Sequence, residues 1–250
     1  MDYERILQCI LDIGEEMLVC GAEVSRVEDS IFRMCKGYGC ERINVFIITN
    51  NMQVTFESPD GKIITQIRTV LRYNPNFAML DKLNDLSRRT ASTSPSYFKL
   101  SKAFDKIVTT SYQPRFLRYI GSILVCGGFC MFFGGDFIDA ITASIGACII
   151  VFTERYLNTR EDNEFVYYYI VSLITALATS ILVEFGIGHN IDKIMIGEIM
   201  LVIPGVAMTN AIRDLLMGDT GSGMLRFINA VIIAGIIAAG FATALLIFKS

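Results

Sequence analysis

Residues 201–226, LVIPGVAMTNAIRDLLMGDTGSGMLR, set a proline, hydroxyls, an amide and paired charges in a run otherwise apolar enough for lipid. Polar groups at membrane depth need a protein-lined or watery setting, so this segment is a candidate pathway rather than a plain anchor. Pro204 removes a backbone donor and Gly205 loosens packing; the helix is expected to bend or unwind there and expose carbonyls. Interrupted helices of this kind often mark transport sites. At about 100° per residue, Glu198, Gly205 and Thr209 return to nearly one face, with Asn210 and Arg213 flanking it. An unpaired acid at the bilayer centre costs on the order of 3 kcal/mol, so Glu198 is expected to be protonated, partnered or wetted. It is the candidate proton-coupling acid; a structural pair, or a position near the outer interface, is the competing reading.

Downstream, Gly218-Asp219-Thr220-Gly221-Ser222-Gly223 leads into the last helix. The free backbone donors of that first turn, with Arg226 close by, could dock a carboxylate. The plainer reading is a glycine-rich turn with Ser222 as its cap and surface ion pairs. Arg213 and Asp214 are equally open to two readings, since interfacial charges often only anchor a helix. The expected substrate-binding or proton-coupling set is therefore Glu198, Pro204, Gly205, Thr209, Asn210, Arg213, Asp214, Asp219, Thr220 and Arg226. Near the start, GAEVSRVE carries Gly21, Glu23, Arg26 and Glu28. Local ion pairing at i, i+3 explains these charges, leaving room for a contact with the membrane segments.

The elements that must position these residues divide the chain in two. With 52% hydrophobic residues over 250 positions and a mean hydropathy of +0.48, lipid or an unusually large core must receive the apolar surface. Residues 1–112 mix charge with apolar positions and are expected to form a cytosolic α+β domain. Within it, residues 3–19 and 23–36 read as amphipathic helices with Gly21 as a left-handed cap between them. Residues 42–49, 52–57 and 62–70 read as an antiparallel sheet with Pro59-Asp60-Gly61 as a turn. Two more helices follow at 76–89 and 97–109, separated by the Ser/Thr/Pro segment 90–96. Residues 113–250 are expected to form a bundle of about five transmembrane helices, at 116–133, 137–153, 165–186, 191–212 and 224–248, the second being the shortest. A cytosolic N-terminus then puts Arg115, Arg118, Arg155, Arg160, Arg213 and Arg226 inside and Lys193 and Lys249 outside, in keeping with the positive-inside rule. An odd number of spans exports the C-terminus.

Composition also excludes. Residues 1–20 carry five acids where a secretory signal would be basic, so no cleaved leader is expected. A net charge of −3 gives no basic surface for nucleic acid. Seven cysteines without a CxxC, and a single histidine, His189, argue against a metal site; Cys126 and Cys130, four apart, are expected to pack. No cofactor is expected.

Taken together, GAEVSRVE near the start and PGVAMTNAIRDLLMGDTGSGMLR near the end resemble the threonine/serine exporter family of bacterial inner-membrane proteins. The likeness extends over essentially the whole chain, through the acidic first helix, the sheet containing INVFIITN and its Asp-Gly turn, and Leu83-Asn84-Asp85-Leu86-Ser87-Arg88. The resemblance implies proton-driven export of small polar metabolites, classically threonine and serine, with some relatives linked to dicarboxylates. It also implies either a fused chain of about ten spans or a longer subunit with a small hydrophobic partner; about five spans fit the longer subunit. Five helices enclose a guarded polar route poorly, so a partner subunit or a homo-oligomer is expected, and a second half would enter inverted. Two other functions compete. An intramembrane hydrolase would need HExxH, a base beside Ser222, or two facing acids, and none of these is evident, so no catalytic residue is assigned. A membrane-tethered sensor or scaffold would not need the polarity of the fourth span.

Overall fold

The structure, a computed structural model, describes residues 2–48, 51–70, 74–110, 115–157 and 163–249. The expected domain junction at 111–114, the strand end at Thr49 and the inside charge Arg160 lie outside them. The chain divides into two compact units: residues 1–112 with 206–228, and residues 113–205 with 229–250.

In the first unit, α1 (Tyr3–Val19) begins under an Asp2 carboxylate that accepts the Arg5 N–H. It turns at Gly21, whose φ of +93° suits glycine, into α2 (Val24–Gly37). Strands β1 (Glu41–Ile48), β2 (Asn51–Glu57) and β3 (Ile63–Thr69) form an antiparallel sheet in the order β1-β2-β3. Period-two alternation sends Ile47, Met52, Val54, Phe56 and Ile64 into one core with Leu7, Ile10, Ile13, Met17, Ile31 and Met34 of the two helices. The opposite face carries the row Phe46, Gln53 and Ile67. Helices α3 (Phe77–Thr93) and α4 (Tyr97–Thr110) complete the α+β layer.

The 90–96 segment is not a break along its whole length. Helix α3 runs on through Thr93 because the Ser92 and Thr93 hydroxyls donate back to the Arg89 carbonyl instead of competing with the ladder. It stops at Ser94, which is left-handed and donates its hydroxyl to the Gly37 carbonyl. Helix α9 (Gly205–Leu216) and the opening of α10 (Thr220–Lys249) also belong to this first unit.

The second unit consists of α5 (Arg115–Phe132), α6 (Phe137–Leu157), α7 (Glu164–Glu184), α8 (Ile191–Val202) and the remainder of α10. Among the described residues, three helices are long and apolar enough to cross a membrane, α6, α7 and α10, or four if α8 and α9 form one broken span. Two expectations about these helices need correcting. The second predicted span is 21 residues long rather than the shortest, because Glu154 near its end pairs with Arg118 of α5 and lets the helix carry a charged last turn. The shorter apolar helix is the first, Phe116–Phe132, which at 1.5 Å per residue reaches about 25 Å against a hydrocarbon core of about 30 Å.

The predicted 191–212 span breaks at Ile203 and Pro204, where α8 and α9 meet at 56°. Glu198 therefore stands on α8 and Thr209, Asn210 and Arg213 on α9, two helices rather than one. The 30 residues of α10 rise about 45 Å. Residues 229–249 alone match the roughly 30 Å hydrocarbon thickness, and residues 220–228 are left over for the first unit.

The turn before α8 is pinned by Asp139, fully buried at the start of α6. Its carboxylate accepts the N–H groups of His189 (2.6 Å), Asn190 (3.1 Å) and Asp136 (3.0 Å) and the Asn190 side-chain amide (2.8 Å). His189 Nδ1 lies 2.9 Å from Asp136 Oδ2. These three side chains bring ligand-type atoms within 4.8 Å of one another, but each Asp139 oxygen already serves protein donors, which is the role of a staple.

Candidate functional site

Two polar clusters stand out, one in each unit. In the first unit the segment joining α1 to α2 meets α9 and the opening of α10. The last carbonyls of α1, from Glu16 to Cys20, already accept backbone N–H groups, so the Gly21 carbonyl beyond them and the first N–H groups of α2 are the ones that need partners. Glu23, the N-cap residue of α2, makes no side-chain capping bond. Helix α9 supplies groups of the right polarity for each end. Asn210 Nδ2 donates to the Gly21 carbonyl at 2.9 Å. The Asp214 carboxylate, 1% exposed, stands near the Val24 N–H at the start of α2. Arg213 Nη1 pairs with Glu23 Oε1 at 2.7 Å. Glu23 thus pairs across the unit with Arg213 rather than within its helix with Arg26, which is exposed on α2. Asp214 Oδ2 also accepts from Arg226 Nη1 at 3.4 Å.

The opening of α10 is tied to the sheet. Ser222 is buried and donates its hydroxyl to the Ile47 carbonyl of β1 at 3.3 Å. Asp219, not Ser222, caps the helix: Asp219 Oδ1 accepts the Ser222 N–H. At the expected docking place for a substrate carboxylate, the Ser222 N–H and Arg226 meet the chain's own Asp219 and Asp214. Glu28 Oε1 accepts the Ile47 N–H at 2.9 Å. Burial raises its carboxyl above the ordinary range, with Asp219 and Asp214 adding to the effect and the Ile47 N–H opposing it. Thr209, Thr220 and Gly205 are exposed and Pro204 half-buried.

In the second unit Glu198 of α8 is fully buried. Thr179 of α7, also fully buried, donates its hydroxyl to Glu198 Oε1 at 2.5 Å. Oε2 has no hydrogen-bond partner among the described residues. The carboxylate lies on the backbone of α6 at Gly146, where a Cβ would overlap Oε1 and stand 2.7 Å from the carboxyl carbon. On the other side of α8, Gly197 brings the helix against Cys126 and Cys130 of α5. Both cysteines are buried and reduced. The site is therefore a half-satisfied buried acid five residues before a helix break. Such an acid can hold or pass a proton.

Reading along the chain missed Thr179 and Gly146. A signal existed: Ser172, Thr175 and Thr179 recur at i, i+3, i+7 on α7, a hydroxyl face in an apolar helix, and all three are fully buried.

Residues 8–248 match the family model of the threonine/serine exporters, ThrE. The chain is 21% identical to the "Probable succinate transporter subunit YjjP" of Klebsiella aerogenes, over 88% of this chain and 84% of that one. It is 20% identical to the protein of the same description from Escherichia coli K12, over 97% and 94%. The "Threonine/serine exporter" of Corynebacterium glutamicum is 21% identical over 91% of this chain but only 48% of its own length. No solved structure matches the chain.

Proposed function

Since the chain belongs to the threonine/serine exporter family, we propose that it is a subunit of a proton-coupled inner-membrane exporter of small polar metabolites, serine and threonine or dicarboxylates. The observation that carries the coupling is Glu198: a buried acid held by one oxygen, with the other free of protein partners among the described residues. A buried carboxyl of this kind changes charge only when a proton, water or solute reaches it, so its occupancy follows the access of one side of the membrane at a time. Helix α8 breaks just beyond it, as the helices lining transport routes commonly do.

A working partner is part of the reading. Relatives of the same length are described as transporter subunits, and the Corynebacterium protein is about twice the length that this chain matches. Five spans, with α8 and α9 together as one broken span, would serve as one half, α5 crossing despite its modest length by local thinning of the bilayer or by tilting of its neighbours. In this arrangement residues 1–112 are cytosolic and the C-terminus is exported; a C-terminal reporter active only in the cytosol would contradict it.

The function is tested with membrane vesicles from cells producing the chain and its neighbours in the complex, loaded with labelled serine, threonine or succinate. Proton-driven flux of at least one solute is expected, and its loss in Glu198→Gln at unchanged membrane abundance. Flux with an unaltered pH dependence in that variant would remove Glu198 from the coupling.

A further inference from the structure

We propose that Thr179 is a positioning residue for Glu198: its hydroxyl fixes Oε1 against Gly146 and so makes Oε2 the oxygen at which the proton is exchanged. This rests on the coupling role given to Glu198 above.

Buried hydroxyls on an α-helix ordinarily donate to the carbonyl four residues back. Two neighbours on α7 do so: Thr175 donates to Val171 and Ser180 to Ala176, each at 2.8 Å. Thr179 instead reaches across to α8 and donates to Glu198 Oε1. Its single hydroxyl proton is committed to the carboxylate.

The opposite side of Oε1 is closed by the α6 backbone. A methyl group at position 146 would overlap the carboxyl outright, so glycine is what allows α8 to lay its acid there. Held by a donor on one side and by a helix backbone on the other, Oε1 keeps an acceptor's role in both charge states. The proton is then added to and removed from Oε2, which meets no protein partner among the described residues.

The groups facing this carboxyl are few. Helix α6 contributes the Gly146 backbone, while the Cys126 and Cys130 thiols of α5 lie only within electrostatic range, with the Cys148 thiol close to Cys126. Helix α7 contributes the Thr179 hydroxyl. Among the described residues no cation is recorded against Glu198, so the donor that favours its ionised form is Thr179.

The test is the pH dependence of labelled serine and succinate counterflow in membrane vesicles of the whole transport complex, with both faces clamped at the same pH. Thr179→Val removes the donor to the ionised carboxylate. The pH midpoint of flux is expected to rise by about one to two units, the equivalent of one hydrogen bond to a charged group. Thr179→Ser restores the hydroxyl and is expected to restore the wild-type midpoint.

An unmoved midpoint in Thr179→Val overturns the proposal. Should that variant fail to reach the membrane, Thr179→Ala and Thr179→Ser make the same comparison, and equal displacement in both overturns it. Glu198→Gln separates this failure from failure of the coupling itself: if that variant keeps pH-dependent flux, the role of the acid falls, and the role of Thr179 with it. Loss of pH dependence in Glu198→Gln with no displacement in Thr179→Val removes Thr179 alone.

Discussion

The α1–α2 segment is capped by residues almost two hundred positions away, and Asp214 makes the strength of that arrangement measurable. Replacing Asp214 by Ala removes the carboxylate placed to cap the Val24 N–H and the partner of Arg226 together. Loss of a helix N-cap costs about 1 kcal/mol. A hydrogen bond to a charged group is worth about 1.5–3 kcal/mol, and the Arg226 bond belongs at or below the lower end, since it is 3.4 Å long and the Arg226 side chain is 21% exposed. The two together amount to about 2 kcal/mol, or roughly 30-fold in the opening equilibrium of the first turns of α2. Asp214→Asn keeps an amide oxygen near the Val24 N–H and loses only the charge, so a smaller change, roughly fivefold, is expected. Hydrogen exchange of a peptide covering residues 22–31, followed in the full-length protein in detergent or nanodiscs, reads both values. If Asp214→Ala leaves exchange there within twofold of wild type, α9 does not cap α2 and the described contact contributes nothing to its stability.

Two further outcomes follow from the same structure. Glu28 has a carboxyl raised by burial, so the folded first unit binds that proton more tightly than the unfolded chain. Stability is therefore gained as pH falls from neutral through the raised value towards the ordinary carboxylate range, near about 4.3, and is lost again as pH rises. Glu28→Gln keeps an acceptor for the Ile47 N–H and is expected to flatten that gain in denaturation of the full chain at pH 7 and pH 5; an equal pH response in the two proteins would contradict the assignment. Asp139→Ala leaves four donors without their acceptor, three at the α7–α8 turn and the Asp136 N–H before α6, a loss of about 3 kcal/mol or more if they remain buried. Limited proteolysis within residues 185–190 is expected to accelerate at least tenfold, and an unchanged rate would show the staple to be dispensable.

Periodicity and composition located most elements to within a few residues because the signals involved are local. Alternation in INVFII and MQVTF, the amphipathic pattern of residues 3–19 and the apolar runs of α6, α7 and α10 all act over one element. The errors arose where a distant partner changed a local rule. Glu154 lengthens α6 through Arg118, and the hydroxyls of Ser92 and Thr93 serve the helix they were expected to end.

The sequence by itself determined that this chain has apolar helices fit for a membrane, where the most polar of them would break, and which family it resembles, since Pro204, the apolar runs and the two motifs are properties of consecutive residues. Only the tertiary structure decided that Glu198 and Arg213 part company at the break. It alone showed that Asn210 and Arg213 meet Gly21 and Glu23 in the turn between α1 and α2, and that Thr179 and Gly146 hold the buried acid. A helix fixes the direction of its side chains relative to one another, but the group each one meets is set by how separate helices pack, and the residues that supply those groups can be remote in the chain.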